Sequence, residues 1–175
     1  MKKLLIPLLI TNIIYAQSFV PDAPELNLKS YILIEPNTNT VIAEFNSKSE
    51  IEPASMTKIM TSYVVADQIA NDLIYIDDQV LISEKAWRME GSKMFIEAGK
   101  KVSISDLLKG IIIQSGNDAS VAIAEYAGGT ESGFVDLMNA YAKSLKMDNT
   151  IFQNSTGLPD ENHFSSARDL SLIHI

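Results

Sequence analysis

Between Ser55 and Asn71 the chain offers apolar residues to most faces of a helix: Met56, Ile59-Met60, Tyr63-Val64-Val65-Ala66 and Ile69-Ala70. A helix of that kind is not a one-sided surface helix; it predicts an element running through the middle of its domain, with the other elements wrapped around it. One cation enters the stretch, Lys58, three residues after Ser55. Residues at i and i+3 share a helix face, so Lys58 Nζ can fold back towards Ser55 Oγ.

That juxtaposition has chemical consequences. A serine hydroxyl is a poor nucleophile until a neighbouring base takes its proton, and a deprotonated lysine can be that base. An ordinary lysine has a pKa of about 10.4, so a free amine at neutral pH requires a fall of about 3 units, or about 4 kcal/mol. Desolvation and the positive end of a helix dipole both push in that direction. The same helix start offers the Ser55 backbone N–H to a developing oxyanion. For an isolated Ser-x-x-Lys match the commoner reading is a helix N-cap with a solvated lysine. Here the apolar residues that follow direct Lys58 into a cavity, and the tetrad predicts acyl transfer through an ester on Ser55.

The surrounding pattern predicts a mixed architecture. Tyr31-Ile32-Leu33-Ile34 and Val41-Ile42-Ala43-Glu44-Phe45 flank Pro36-Asn37-Thr38-Asn39-Thr40 and read as an antiparallel hairpin. Asp78 to Ser83 and Met94-Phe95-Ile96 are short strand candidates around a polar linker. Ser105 is placed to cap a helix running through Ile113, with further helices over 118–127 and 131–145 and a last one capped by Ser165 or Ser166. A hairpin followed by helices, without βαβ alternation, predicts an α+β domain: an antiparallel sheet plus a helical layer.

A second candidate element, Ser115-Gly116-Asn117, lies between two predicted helices, after the apolar ending Ile111-Ile112-Ile113 that should bury it. A serine there can relay a proton, and an asparagine can hold a substrate amide with both its donor and its acceptor. The plain alternative is a helix–helix connection with Asn117 as an N-cap.

With both elements in hand, the chain resembles a known family. The segments 53–61 and 110–119 look like the first and second motifs of low-molecular-mass penicillin-binding proteins. More narrowly, they resemble those of the serine D-alanyl-D-alanine carboxypeptidases of the penicillin-binding protein 5/6 group. The similarity runs from about Ser30 onward and includes Gly91-Ser92, Met94-Phe95, Asn149-Thr150, Phe152, Asn154, Thr156-Gly157-Leu158-Pro159 and Ser166-Ala167-Arg168-Asp169-Leu170. The resemblance implies a β-lactamase/DD-peptidase-like fold, with Ser55 as nucleophile, Lys58 as its base, Ser115 in proton transfer to departing D-alanine, and Asn117 holding the substrate backbone. The implied partners are peptidoglycan stem peptides ending in D-Ala-D-Ala and β-lactam antibiotics; no cofactor or metal is implied.

The family also has a third motif, Lys-Thr-Gly or Lys-Ser-Gly, on a strand that walls the other side of the site, and no such tripeptide occurs here. The expectation is therefore a catalytic domain truncated before its C-terminal strands, incomplete and inactive alone. It also lacks the tail that would allow peripheral membrane association. Close alternatives are a D,D-endopeptidase and a non-catalytic penicillin- or peptidoglycan-binding module. A Ser–His–Asp hydrolase would rest on His163 with Asp160 or Asp169, but His163 reads as a solvated loop residue. Met56, Met60, Met89 and Met94 read as core filler, and Asp77-Asp78 and Glu161 as solvated surface.

The beginning of the chain reads as an export signal. Met1-Lys2-Lys3 is a short basic start, Leu4 to Ile14 is mostly apolar, and Tyr15-Ala16 offers a cleavage point. Residues 1–16 are the expected signal peptide, with an uncleaved anchor as the alternative, and residues 17–175 the partial catalytic domain. The predicted location is the periplasm, at the outer face of the cytoplasmic membrane. A net charge of −8 without a basic cluster argues against nucleic acid, and zero cysteines exclude disulfides and Cys-ligated metals.

Overall fold

The computed structural model describes residues 27–173, so the expected signal peptide and His174-Ile175 lie outside the described residues. Strands β1 (Tyr31–Glu35) and β2 (Thr40–Phe45) form the expected antiparallel hairpin, with Tyr31 opposite Phe45 and Ile32 opposite Glu44. A register shift between Leu33 and Ile34 marks a bulge, and the rings of Tyr31 and Phe45 stack at 6.2 Å. A 3₁₀ turn, Ala54–Met56, leads into α1 (Thr57–Ala70). Next come β3 (Gln79–Leu81), a single-turn α2 (Glu84–Trp87), β4 (Lys101–Ser103), α3 (Ile104–Gln114), α4 (Asn117–Gly128), α5 (Glu131–Ser144) and the short α6 (Ala167–Leu170).

The most enclosed helix is α4, not α1. Every residue from Asn117 to Ala124 is buried, and α4 packs against α1, α2, α3, α5 and β3. Its sequence allows this because Ala119, Ser120, Ala122 and Ala124 are small enough for neighbours to close in from several sides. Helix α1 instead buries the stripe Thr57, Lys58, Met60, Thr61, Val64, Val65 and Gln68, and leaves Ile59 exposed. Met60, Val64, Leu107, Ile111, Ile123, Phe134, Met138 and Phe152 form one continuous core between these helices. Met89 and Met94 pack against that core, whereas Met56 is exposed and does not fill it.

Several boundaries differ from the sequence expectation, each for a local reason. The partner of β3 is β4, with Val80 opposite Val102, and residues 94–96 are not a strand. Phe95 has φ +64 and points outward, 83% exposed. The backbone of that segment is held by the fully buried carboxylate of Asp118: Oδ1 accepts the N–H groups of Met94 (3.0 Å) and Ala119 (2.9 Å), and Oδ2 those of Phe95 (2.9 Å) and Ile96 (3.2 Å). A side chain thus takes over the role a ladder partner would have had. The cap of α3 is Ser103, which accepts from Asp106 N, rather than Ser105. The cap of α4 is Gly116, so Asn117 is the first helical residue and its amide is free for another task. Ser166 caps α6 as one of the two expected residues, and that helix ends at Leu170 well before Ile175.

Asp118→Ala leaves several backbone N–H groups in a buried setting without acceptors. At about 1–3 kcal/mol for each orphan, partly relieved by movement of the 94–96 segment, a loss of about 3 kcal/mol is expected. A urea-unfolding midpoint that does not fall in the variant contradicts this account of the segment.

Candidate active site

Ser55 occupies the 3₁₀ turn just before α1 and is solvent-exposed. Its neighbour Ala54 has φ +46, a left-handed conformation that costs an alanine roughly 1 kcal/mol. Lys58 lies one turn into the helical path and is only 4% exposed. Its Nζ reaches three acceptors: Thr156 O at 2.6 Å, Asn117 Oδ1 at 2.8 Å and Ser55 Oγ at 3.4 Å. Burial pushes its pKa down from 10.5 to about 8. That is short of the neutral value the chemistry would like, and it leaves roughly a tenth of the molecules with a free amine at pH 7.

The identity of the three acceptors fixes the orientation of the amine. A neutral lysine has two N–H donors and one lone pair. The short bonds to Thr156 O and Asn117 Oδ1 take the two donors, which turns the lone pair towards Ser55 Oγ. The Asn117 amide cannot be the other way round, because its Nδ2 donates to Glu90 O at 2.6 Å. Asn117 N also donates to Ser92 O at 2.7 Å, so the 90–92 segment clamps this residue at both its backbone and its side chain.

Thr156 O is delivered by a tightly cross-braced turn. Asn154 Oδ1 accepts from Thr156 N, Thr156 Oγ1 and Gly157 N, at 3.1, 3.0 and 2.7 Å. Glu131 Oε1 accepts both Ser155 N and Ser155 Oγ, and Glu131 Oε2 pairs with Lys85 at 2.7 Å. Burial pulls the Glu131 carboxyl upward, but Lys85 and Ser155 outweigh it and hold it below the usual carboxylate range. The turn sits directly on the Ala54-Ser55 segment. Gly157 has φ +84, and a Cβ there would lie 1.8 Å from Ala54 O.

The buried polar stripe of α1 now has an explanation. Thr61 Oγ1 donates to Ser155 O at 2.8 Å, Lys58 donates to Thr156 O, and Thr57 Oγ1 bonds His163 Nε2 at 2.8 Å. His163 is therefore not the solvated loop histidine that the polar sequence around it suggests. It is 4% exposed, packed edge-on against Phe152, and its Nδ1 accepts Gln153 N–H at 3.1 Å. Asp169 serves elsewhere, accepting Asn149 N and Thr150 Oγ1, so no Ser–His–Asp relay forms through it.

Ser115 ends α3 in the left-handed conformation, φ +53 and ψ +37. It lines a cavity of about 380 Å³ with Ser55, Lys58, Ile59, Ser62, Ile111 and Ile112. The predicted Ser55, Lys58 and Ser115 thus share one cavity, and Asn117 joins them through Lys58 rather than by lining it. Asp118, Glu90 O, Thr156 O and His163 were not foreseen as parts of the site. Two of these are backbone carbonyls, which carry no sequence signal. Asp118 did have one: a carboxylate immediately after Asn117 on a buried helix.

The decisive comparison is with protein families. Residues 17–175 match the model described as D-alanyl-D-alanine carboxypeptidase. The chain belongs to that family. Among curated carboxypeptidases it is similar to DacC of Escherichia coli, 42% identical over 91% of this chain, and to DacF of Bacillus subtilis, 46% identical over 83% of it. It spans 41% and 37% of the lengths of those two relatives. The crystal structure of the D-alanyl-D-alanine carboxypeptidase DacD from Francisella tularensis superposes with a TM-score of 0.86 at 41% identity, covering 91% of this chain and 39% of that one. The expected α+β, DD-peptidase-like fold is therefore correct.

Proposed function

We propose that this chain carries the nucleophile half of a serine D,D-carboxypeptidase site, with Ser55 as the acylated residue and Lys58 as its base. The single observation that carries this reading is the buried Lys58 amine, held by Thr156 O and Asn117 Oδ1 with its third position facing Ser55 Oγ. Ser55 Oγ attacks the carbonyl carbon of the penultimate D-alanine while its proton passes to Lys58 Nζ. The tetrahedral intermediate collapses with cleavage of the peptide C–N bond. The departing D-alanine nitrogen takes a proton passed on through Ser115. Water then hydrolyses the ester, releasing the shortened stem peptide and restoring Ser55. A β-lactam enters by the same attack, and its opened ring leaves an acyl-enzyme that hydrolyses slowly. Asn117 orients the base through Oδ1 and keeps a second Nδ2 N–H and a second Oδ1 lone pair with which to hold the substrate backbone.

This reading places the whole protein outside the cytoplasmic membrane, in the periplasm, after removal of residues 1–16. It also requires a third wall carrying Lys-Thr-Gly or Lys-Ser-Gly, which is sought by reading the nucleotide sequence past Ile175. The protein encoded by the complete frame is expected to be labelled covalently by a fluorescent penicillin and to release D-alanine from a pentapeptide. Ser55→Ala abolishes both. Absence of labelling in the parent protein favours a non-catalytic peptidoglycan-binding module, and cleavage of dimeric muropeptides in place of pentapeptide identifies an endopeptidase.

The pH dependence follows from Lys58. The active form is the free amine, so acylation rises with pH, about tenfold per unit below pH 8, and levels off above it. A rate that is flat from pH 6 to 9 argues for a different base.

A further inference from the structure

We infer that His163 is a positioning residue, a neutral two-ended brace that keeps Thr156 O seated on the Lys58 amine. The inference rests on the proposed role of Lys58, but the geometry of the brace is independent of it.

The hydrogen bonds settle the tautomer of the ring. Gln153 N–H can only donate, so His163 Nδ1 carries no proton, and the proton of the neutral ring sits on Nε2 and is donated to Thr57 Oγ1. One end of the ring is thus fixed to the residue preceding Lys58 in α1. The other is fixed to the residue that opens the 153–157 turn, three positions before Thr156. Lys58 and Thr156 O meet at 2.6 Å between these two fixed points. Phe152 packs edge-on against the imidazole and holds its plane. The ring makes no hydrogen bond to Ser55 or Lys58, so it acts through the two segments it joins.

The surroundings favour the neutral ring. Burial pushes the His163 pKa down, opposed by Asp160, the charged group three residues before it in the chain. Its other polar neighbours, Thr57 and Gln153, are uncharged at any physiological pH. The groups hydrogen-bonded to Lys58 are likewise uncharged: Ser55, the Asn117 amide and the Thr156 carbonyl. Asp118, the neighbouring carboxylate on α4, is committed to the 94–96 backbone. The depressed lysine pKa therefore depends on exclusion of water by a well-seated turn.

The test reads Lys58 directly, by the NMR titration of ¹³C-labelled lysine side chains, with its signal assigned by its loss in Lys58→Met. His163→Asn places an acceptor where Nδ1 stood but cannot reach Thr57. Thr57→Val removes the hydroxyl at constant shape. Each is expected to shift the Lys58 titration upward from about 8 towards 10.5 as water reaches Nζ, and to slow penicillin acylation at pH 7 by on the order of tenfold. The double variant moves the titration no further than the larger single shift, because both remove the same bond. Met138→Ala, a core truncation in α5, controls for lost stability and leaves the Lys58 titration in place. An unmoved Lys58 titration in both single variants, or an equal shift in Met138→Ala, overturns the brace. If the parent protein is not acylated at all, the peptidase reading fails while the titration still decides this one.

Discussion

Lys58→Met is expected to lower the rate of Ser55 acylation by a penicillin by about 10³-fold or more while leaving the protein folded. General-base catalysis alone is worth about 10²–10⁴-fold. Nucleophile and base act as a unit, so losing one member forfeits most of what the pair supplies. The variant keeps the shape of the side chain and removes its charge, so the cost of burying an ammonium disappears. Against that gain, Asn117 Oδ1 and Thr156 O lose the donor they share, at about 1–3 kcal/mol for each acceptor. These effects are of similar size and opposite sign, and thermal stability should change little. A stopped-flow acylation measurement beside a thermal melt separates the two consequences. Rapid acylation retained by the folded variant would remove Lys58 from the mechanism.

Gly157→Ala should be almost as damaging without touching any titratable group. The added Cβ would fall 1.8 Å from Ala54 O, 2.4 Å from Ala54 C and 3.0 Å from Thr57 Oγ1, at a backbone φ of +84 that alanine resists. The obstacle is backbone, so no side-chain rotation relieves it. Either the turn lifts, taking Thr156 O off Lys58, or the Ala54-Ser55 segment moves and displaces the nucleophile. A misplacement of about 1 Å at reacting atoms costs on the order of 10²-fold in rate. Acylation should fall by at least that, with a lower melting temperature. A crystal structure of the variant in which neither the Ala54 carbonyl nor the 156–157 turn has moved would refute the argument.

Much of this site was legible before any geometry. Residues i and i+3 on a helix must meet, so Ser55 and Lys58 were paired by periodicity alone, and the hairpin declared itself by two β-rich runs around a polar turn. Resemblance of the Ser115-Gly116-Asn117 segment to a family motif placed it in the same site. The misreadings share a physical cause. Met94-Phe95-Ile96 has strand composition, but its N–H groups are claimed by a carboxylate 22 to 24 residues away. His163 sits among polar residues in sequence and among Phe152, Thr57 and Gln153 in space. In both cases a long-range hydrogen bond overrode local composition, and single-sequence patterns carry no information about such bonds. The same holds for Thr156 O and Glu90 O, since any residue supplies a carbonyl.

Ala54, Phe95 and Ser115, three of the seven non-glycine residues at positive φ among the described residues, lie respectively beside Ser55, on the Asp118-held segment and in the cavity wall. Glycine at any of them would relieve local strain, against the entropy it adds to the unfolded chain. Selection for heat resistance alone would therefore find some of its openings beside Ser55 and its cavity, and a change there would slacken the backbone that aims the hydroxyl. A laboratory lineage evolved for survival at high temperature, without a penicillin or peptide challenge, should lose acylation by penicillin before it loses its fold wherever changes reach these three positions.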